Sequence, residues 1–115
     1  MNENIRRVVV TGLGAITPLG KNTEETWQAL KSGTNGIAPI TLFDTENYKA
    51  KLGAEVKGFN PLDYMEKSES LRTDRYTQFA LVAAAEAVKE SGVVGTVAPE
   101  RMAVYIGVGI GGIRT

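Results

Sequence analysis

The sequence of 115 residues contains no cysteine and no histidine. Without cysteine, the chain has no disulfide, no thiolate ligand for a metal and no Cys nucleophile. Without histidine, it lacks the commonest general base near neutral pH. The two absences exclude thiol chemistry and imidazole catalysis from this stretch of polypeptide.

Net charge and long apolar runs are also missing. Thirteen basic and thirteen acidic residues cancel, so no strong overall field would attract nucleic acid or an anionic membrane. No window approaches the roughly 18 apolar residues of a membrane span. Arg6 and Arg7 are not followed by an apolar run of signal-peptide length. We therefore predict a cytoplasmic protein that binds neither nucleic acid nor membrane, and any charge-driven partner must recognise a local patch.

Three segments have strand character. Residues 5–10 and 101–106 are apolar without alternation, which is typical of strands buried on both faces. Residues 54–57 alternate and predict a short half-exposed strand. With intervening helices, this pattern favours a layered α/β fold. Strands buried on both faces need more neighbours than this chain supplies, so we expect the fold to be incomplete here.

Two helices and a helical turn are predicted. Thr23 offers a hydroxyl cap for the first helix, which Gly33 would end. Asn60-Pro61 is a good start for a short turn. The longest helix runs over residues 68–91, closed by Gly92, and its alanine-rich faces favour a central buried helix.

Two glycine-rich segments follow the apolar runs. Gly12 and Gly14 partly match a dinucleotide-binding fingerprint, but Pro18 opposes a helix at Thr17, and no acid ends a second strand near position 32. Close packing is therefore favoured over a phosphate cradle. Residues 107–112 contain four glycines. From the residues alone a turn at the end of a buried strand is favoured over backbone that lies against a ligand or another chain, toward which Ile110 would project.

A small basic patch precedes and opens the long helix, at Lys67, Arg72 and Arg75. Neighbouring acids would neutralise it: Glu66, Glu69 and Asp74. From these residues alone, a solvated helix end is favoured over a binding site for an acidic partner.

Taken together, the motifs resemble those of the β-ketoacyl-acyl carrier protein synthases, and most closely the type II enzymes of bacterial fatty acid elongation. The resemblance covers essentially the whole chain. Its carriers, in order, are Arg6-Arg7-Val8-Val9-Val10-Thr11-Gly12-Leu13-Gly14, Pro18-Leu19-Gly20, Thr26-Trp27, Ser32-Gly33 with Gly36-Ile37, Phe43-Asp44, Asp74-Arg75-Tyr76-Thr77-Gln78-Phe79, and Gly107 through Gly112.

The resemblance implies a thiolase-like fold with α/β/α/β/α layers, assembled as a homodimer. Residues 1–115 would be the N-terminal segment of the N-terminal half, with no complete second domain. The implied reaction is a decarboxylating condensation of malonyl-carrier protein with an acyl group held on a Cys. That Cys, two His and a Lys would lie beyond residue 115, so we expect no catalytic residue, no cofactor, no metal and no activity in this chain alone.

The resemblance also implies roles for residues that are present. Ile110 matches a position lining the acyl-chain pocket near the dimer interface, and Arg72 matches a position that docks the carrier protein. Ser68 and Leu71 stand where the family often has basic residues, and Lys67 and Arg75 would compensate. Because acyl carrier protein is acidic, the resemblance favours a functional patch.

Two alternatives remain open from the sequence. The first is a non-catalytic module that interacts with carrier protein or with a synthase. The second is a nucleotide-binding domain that uses Gly12 and Gly14.

Overall fold

The computed structural model describes residues 5–113, so the two ends of the predicted segment 1–115 lie outside it. Its elements are helix α1, a two-stranded sheet, two further helices and two 3₁₀ turns. In chain order they are α1 (Thr23–Lys31), β1 (Ala38–Pro39), β2 (Leu52–Gly53), a 3₁₀ turn (Pro61–Asp63), α2 (Lys67–Ser70), α3 (Arg75–Ser91) and a second 3₁₀ turn (Pro99–Arg101). None of the described helices has the length and apolar character needed to cross a membrane.

Local signals fix both ends of α1. Its N-cap is Asn22, whose side chain accepts a hydrogen bond from the Glu25 N–H at 2.8 Å. The predicted cap at Thr23 is therefore wrong by one residue. Gly33, at φ +70°, donates to the Leu30 carbonyl at 3.1 Å and confirms the predicted end.

The long helix predicted over residues 68–91 is broken near its start. α2 ends at Ser70, α3 begins at Arg75, and the side-chain amide of Gln78 donates to the carbonyls of Ser70 and Thr73, each at 3.0 Å. In a continuous helix these carbonyls would accept hydrogen bonds from backbone N–H groups, and in the break the Gln78 side chain takes that place. Gln78 is only 6% exposed. Gly92, at φ +61°, ends α3 as predicted.

The prediction of a central buried helix is wrong for the described residues. Within α3 only Gln78 is buried. The alanine-rich positions, such as Ala83 and Ala87, are half-buried. One side of α3 is covered by this chain and the other is open.

The two apolar segments predicted as buried strands form no strand within residues 5–113. Residues 5–10 and 102–106 have no assigned secondary structure, and Arg101 ends a 3₁₀ turn. Val8 is 92% exposed and Tyr105 is 93% exposed. A strand requires a hydrogen-bonded neighbour, and no described segment pairs with either one.

The sheet is a small antiparallel pair, with Ala38 opposite Gly53 and Pro39 opposite Leu52. The strand predicted over residues 54–57 is therefore displaced to Leu52–Gly53. Glu55 lies just beyond it and accepts hydrogen bonds from Thr41 and the Leu42 N–H at 2.8–3.1 Å. The hydroxyl and N–H of Thr41 hold the pKa of Glu55 below its ordinary value.

An aromatic cluster forms the centre of the fold. Phe59, 6% exposed, stacks on Tyr64 with ring centroids 5.3 Å apart and meets Phe79 edge-on at 5.0 Å. Asn60 accepts a hydrogen bond from the Leu62 N–H at 3.2 Å, which confirms the predicted turn start at Asn60-Pro61. This turn places Tyr64 against Phe59.

The molecule is open for its length. It exposes 9725 Å², whereas a compact monomer of this size exposes about 6,100 Å². Its radius of gyration is 18.0 Å, against roughly 13 Å for a compact domain. The excess of about 3,600 Å² exceeds the roughly 1,000–2,500 Å² that one partner contributes to most permanent interfaces.

Candidate functional site

The N-terminal glycine loop, residues 11–20, lies directly on α3. A Cβ built on Gly12 would fall 2.1 Å from the Ala87 carbonyl oxygen, and one on Gly14 would fall 1.8 Å from that of Ala83. Both distances are far inside van der Waals contact, so only glycine fits at either position. The interpretation of these glycines as close-packing residues is confirmed.

Carboxylates on α3 occupy the N–H groups of this loop. Glu86 accepts hydrogen bonds from the Ala15 N–H at 3.0 Å and the Thr23 N–H at 2.8 Å. Glu90 accepts one from the Leu13 N–H. A phosphate cradle needs such donors free and the glycine faces open, so the nucleotide-binding alternative is wrong for this loop.

Glu86 links three elements: the loop, the start of α1 and α3. Desolvation raises the pKa of its carboxyl, but the N–H groups of Thr23 and Ala15 outweigh that effect, and the pKa lies below the ordinary 4.5. The ionised carboxylate is therefore the form that holds the loop in place.

Residues 67–75 form a corner that contains all three residues predicted to dock a carrier protein, and we name it the docking corner after that prediction. Lys67 opens α2, Arg72 lies between α2 and α3, and the side chains of both are exposed. Ser68 and Leu71 are exposed in the same corner. The buried amide of Gln78 fixes the backbone on which Arg72 stands.

Arg75 is committed to the aromatic cluster. Its guanidinium carbon lies 4.8 Å from the ring centroid of Phe59 and 5.2 Å from that of Phe79. Its Nη1 donates to the Phe59 carbonyl at 3.2 Å. Arg75 thus contributes to packing through both its charge and its planar face, and it is exposed like Lys67 and Arg72.

The C-terminal glycine segment, residues 107–112, returns to the start of α3. A Cβ on Gly111 would lie 2.7 Å from the Tyr76 ring, and one on Gly112 would lie 2.9 Å from a carboxylate oxygen of Asp74. Ile110, immediately before this contact, is 79% exposed. The structure therefore brings the predicted pocket residue and the docking corner to the same end of α3.

A groove of about 410 Å³ lies beside α3, between α2 and the start of α1. Its floor is apolar, and Lys21, Glu69, Glu86 and Lys89 contribute polar groups. The floor and wall residues are Tyr64, Met65, Leu81, Val82 and Ala85. Of these, Leu81, Val82 and Ala85 belong to α3.

Sequence reasoning missed the contacts of Glu86, Glu90, Gln78 and Tyr76. The available signal is the spacing of Glu86 and Glu90, four residues apart beside Ala83 and Ala87. Such spacing places two acids along one edge of a small-residue stripe. Nothing in the sequence marks the loop as the partner of that edge.

Comparison with known proteins extends these observations. Residues 5–115 match the family model described as "Beta-ketoacyl synthase, N-terminal domain". The chain is 47% identical over 116 aligned residues to 3-oxoacyl-[acyl-carrier-protein] synthase 2 of Staphylococcus aureus (strain MRSA252), covering all of this chain and 28% of that protein. It is 42% identical to the protein of the same name from Synechocystis sp., over 98% of this chain and 27% of that one.

A solved structure shares the fold. "The ishigamide ketosynthase/chain length factor" superimposes with a TM-score of 0.67 and 38% identity, covering 76% of this chain and 22% of that one. The present chain thus spans a little over a quarter of the length of the curated relatives that it matches.

Proposed function

Because the chain belongs to the β-ketoacyl synthase family, we propose that it forms the N-terminal segment of a 3-oxoacyl-acyl carrier protein synthase. The observation that carries this proposal is the 47% identity along the whole chain to a relative bearing that name. Glycines at positions 12 and 14 that admit no other residue fit a scaffold role for the N-terminal glycine loop.

We propose that the complete protein has the layered α/β/α/β/α arrangement of thiolase-like enzymes and forms a homodimer in the cytoplasm. The open face of α3 and the unpaired segments at residues 5–10 and 101–106 support this proposal. They are apolar surfaces that further layers and strands would cover.

In this proposal the chain supplies shape and recognition, and the reacting groups come from elsewhere in the complete protein. Ile110 lines the acyl-chain pocket. Lys67 and Arg72 attract the acidic carrier protein, with a contribution from Arg75 limited by its contact with Phe59. Acyl and malonyl groups both arrive on acyl carrier protein. The condensation releases CO₂ as malonyl decarboxylates, and the resulting carbanion displaces the enzyme thiolate from the acyl thioester.

The test compares the complete protein with the 115-residue chain. Both are incubated with malonyl-carrier protein and an acyl-carrier protein, and the 3-oxoacyl product is measured by mass spectrometry. The complete protein should form it and the 115-residue chain should not, since it has no Cys or His. Absence of product with the complete protein would overturn the proposal.

A non-catalytic interaction module is the second candidate. The exposed apolar side chains of residues 5–10 and 102–106 favour a chain that associates with another polypeptide. The intact mass of the protein in its source cells separates the two candidates. In the relative, 116 aligned residues make 28% of the length, which corresponds to about four hundred residues. A mass that corresponds to a chain of about that length supports the synthase, and a mature product of about this chain's size supports the module.

A further inference from the structure

The four glycines of the C-terminal glycine segment are not equivalent. Added side chains at Gly107 and Gly109 would meet no described atom within 4 Å. An added Cβ at Gly111 would lie 2.7 Å from Cε1 and Cζ of Tyr76 and 2.8 Å from Cγ1 of Val108, a side chain of the same segment. Gly112 has φ +71°, a conformation that glycine adopts without strain. The segment is therefore packed against α3 at Gly111 and Gly112 and open at Gly107 and Gly109.

Tyr76 is placed to make this contact by its position on α3. It is the second residue of the helix, one turn before Phe79 and the aromatic cluster. Its ring faces Gly111 from an element whose start is fixed by Gln78 and Arg75. The ring carbons Cε1 and Cζ are the Tyr76 atoms nearest to the position of a Cβ at Gly111, so the ring rather than the hydroxyl limits what fits there.

We propose that Tyr76 is a positioning residue for acyl-chain length, acting through Gly111 on Ile110. Ile110 directly precedes the point of contact, so the Tyr76 ring sets how far Ile110 stands from α3. This inference rests on the proposed function, in which Ile110 lines the acyl pocket. A ring that holds the segment limits the depth available to the acyl chain, because the segment cannot recede.

The experiment measures kcat/KM of the complete synthase on a long and a short acyl-carrier protein, and takes the ratio. Tyr76→Ala frees the segment and should raise the long-to-short ratio about tenfold, the scale on which sub-ångström placement and pocket fit act. Tyr76→Phe keeps the ring and should leave the ratio within about twofold of wild type. Tyr48→Ala is the matched control, since Tyr48 contacts Phe43 at 5.6 Å and not the glycine segment.

A double-mutant cycle isolates the contact. Gly111→Ala should shift the ratio most when Tyr76 is present, because the added Cβ meets the ring, and should shift it less in the Tyr76→Ala background, where that Cβ still meets Cγ1 of Val108. Equal effects of Gly111→Ala in both backgrounds would overturn the proposal. So would a Tyr76→Ala ratio that stays at the wild-type value while Ile110→Phe moves it.

Failure of the proposed function is recognised separately. It would appear as a wild-type protein that makes no product, or as an Ile110→Phe variant with unchanged chain-length preference. The Tyr76 contact is then judged by amide hydrogen exchange over residues 109–113, which Tyr76→Ala should accelerate about tenfold and Tyr48→Ala should not. If Tyr76→Ala does not fold, Tyr76→Leu replaces it in both measurements. Unchanged exchange in the variant that folds would overturn the contact itself.

Discussion

The N-terminal glycine loop and the apolar segment that precedes it differ sharply although they are adjacent in sequence. The loop, residues 11–20, is seated on α3 by glycine-to-backbone contact and by two carboxylates. Residues 5–10 touch so little that Val8 is almost fully exposed. Residues 101–106, near the other end of the described chain, are also largely exposed.

The difference shows which contacts this chain supplies for itself. Loop and helix are complementary partners, both present, and their polar groups satisfy each other. The apolar segments have the side chains of buried strands without the neighbours. Side-chain type therefore indicates whether a segment requires burial, and the observed contacts show whether residues of this chain provide that burial.

The loop–helix contact should be the most sensitive to substitution. Gly14→Ala places a Cβ against the Ala83 carbonyl, which forces the loop off α3 and should lower the free energy of unfolding by about 4 kcal/mol. Chemical denaturation of the complete protein measures the change. Gly53→Ala is the matched control, because its Cβ would meet a side-chain atom and no backbone, Cγ1 of Ile40 at 3.1 Å. A Gly14→Ala protein as stable as Gly53→Ala would remove the contrast between the two regions.

The apolar segments should respond according to context. In the complete protein Val104→Lys should cost about 3 kcal/mol, because it places an unpaired charge in a covered sheet. In the 115-residue chain, where Val104 is exposed, the same change should reduce aggregation. Denaturation of the first and light scattering of the second measure these effects. Equal stability of the complete protein with Val or Lys would show that no layer covers this segment.

The basic residues of the docking corner also differ in whether they pack within this chain: Arg75 contacts the aromatic cluster and Arg72 does not. Arg75→Ala should lower the free energy of unfolding by about 1–2 kcal/mol, through loss of its contacts with Phe59 and Phe79. Arg72→Ala should leave stability within about 0.5 kcal/mol, since the aromatic and carbonyl contacts at this corner belong to Arg75.

Carrier-protein binding tests the other half of that division. Arg72→Glu should weaken binding, most at low salt, where surface charges are least screened. Titration by fluorescence anisotropy at two ionic strengths measures it. A loss of stability in Arg72→Ala, or unchanged binding in Arg72→Glu, would contradict the assignment.

The smallest expected effect concerns pH. Because the folded pKa of Glu86 lies below 4.5, its contribution to stability is present above that value and is lost as pH falls through the folded pKa. Glu86→Gln should lower stability by about 1 kcal/mol at pH 7 and flatten its dependence on pH below 4.5. Thermal unfolding at pH 7 and near pH 3.5 compares the two proteins. An undiminished acid slope in Glu86→Gln would assign the effect to another carboxyl.

Features set by neighbours in sequence were predictable. Gly33 and Gly92 end helices because each adopts positive φ, and Asn60 begins a turn through its own side chain. The break at residues 71–74 was not predictable. It depends on Gln78 folding back to Ser70 and Thr73, which looks in sequence like one more polar residue on a long helix.

Pairing partners were the main obstacle for the strands. The composition of residues 5–10 and 101–106 indicates strands, but whether a strand forms depends on pairing with segments distant in sequence. The docking corner was located from Lys67 and Arg72, whereas the internal role of Arg75 required knowing that Phe59 lies beneath it. The placements of Ile110 in a pocket and of Arg72 on a docking surface stay predictions.

The apolar surface of this segment would also stay exposed for a definite time during synthesis of the complete protein. Chains grow at about 5–20 residues per second, so a synthase of the relatives' length would need roughly 15–60 s of further synthesis after residue 115. Throughout that interval the seated loop and helix can form, while Val8, Val104 and Tyr105 remain bare. Ribosome-associated chaperones that bind apolar extended peptides would find two such stretches here, and their occupancy would fall as the later strands emerge.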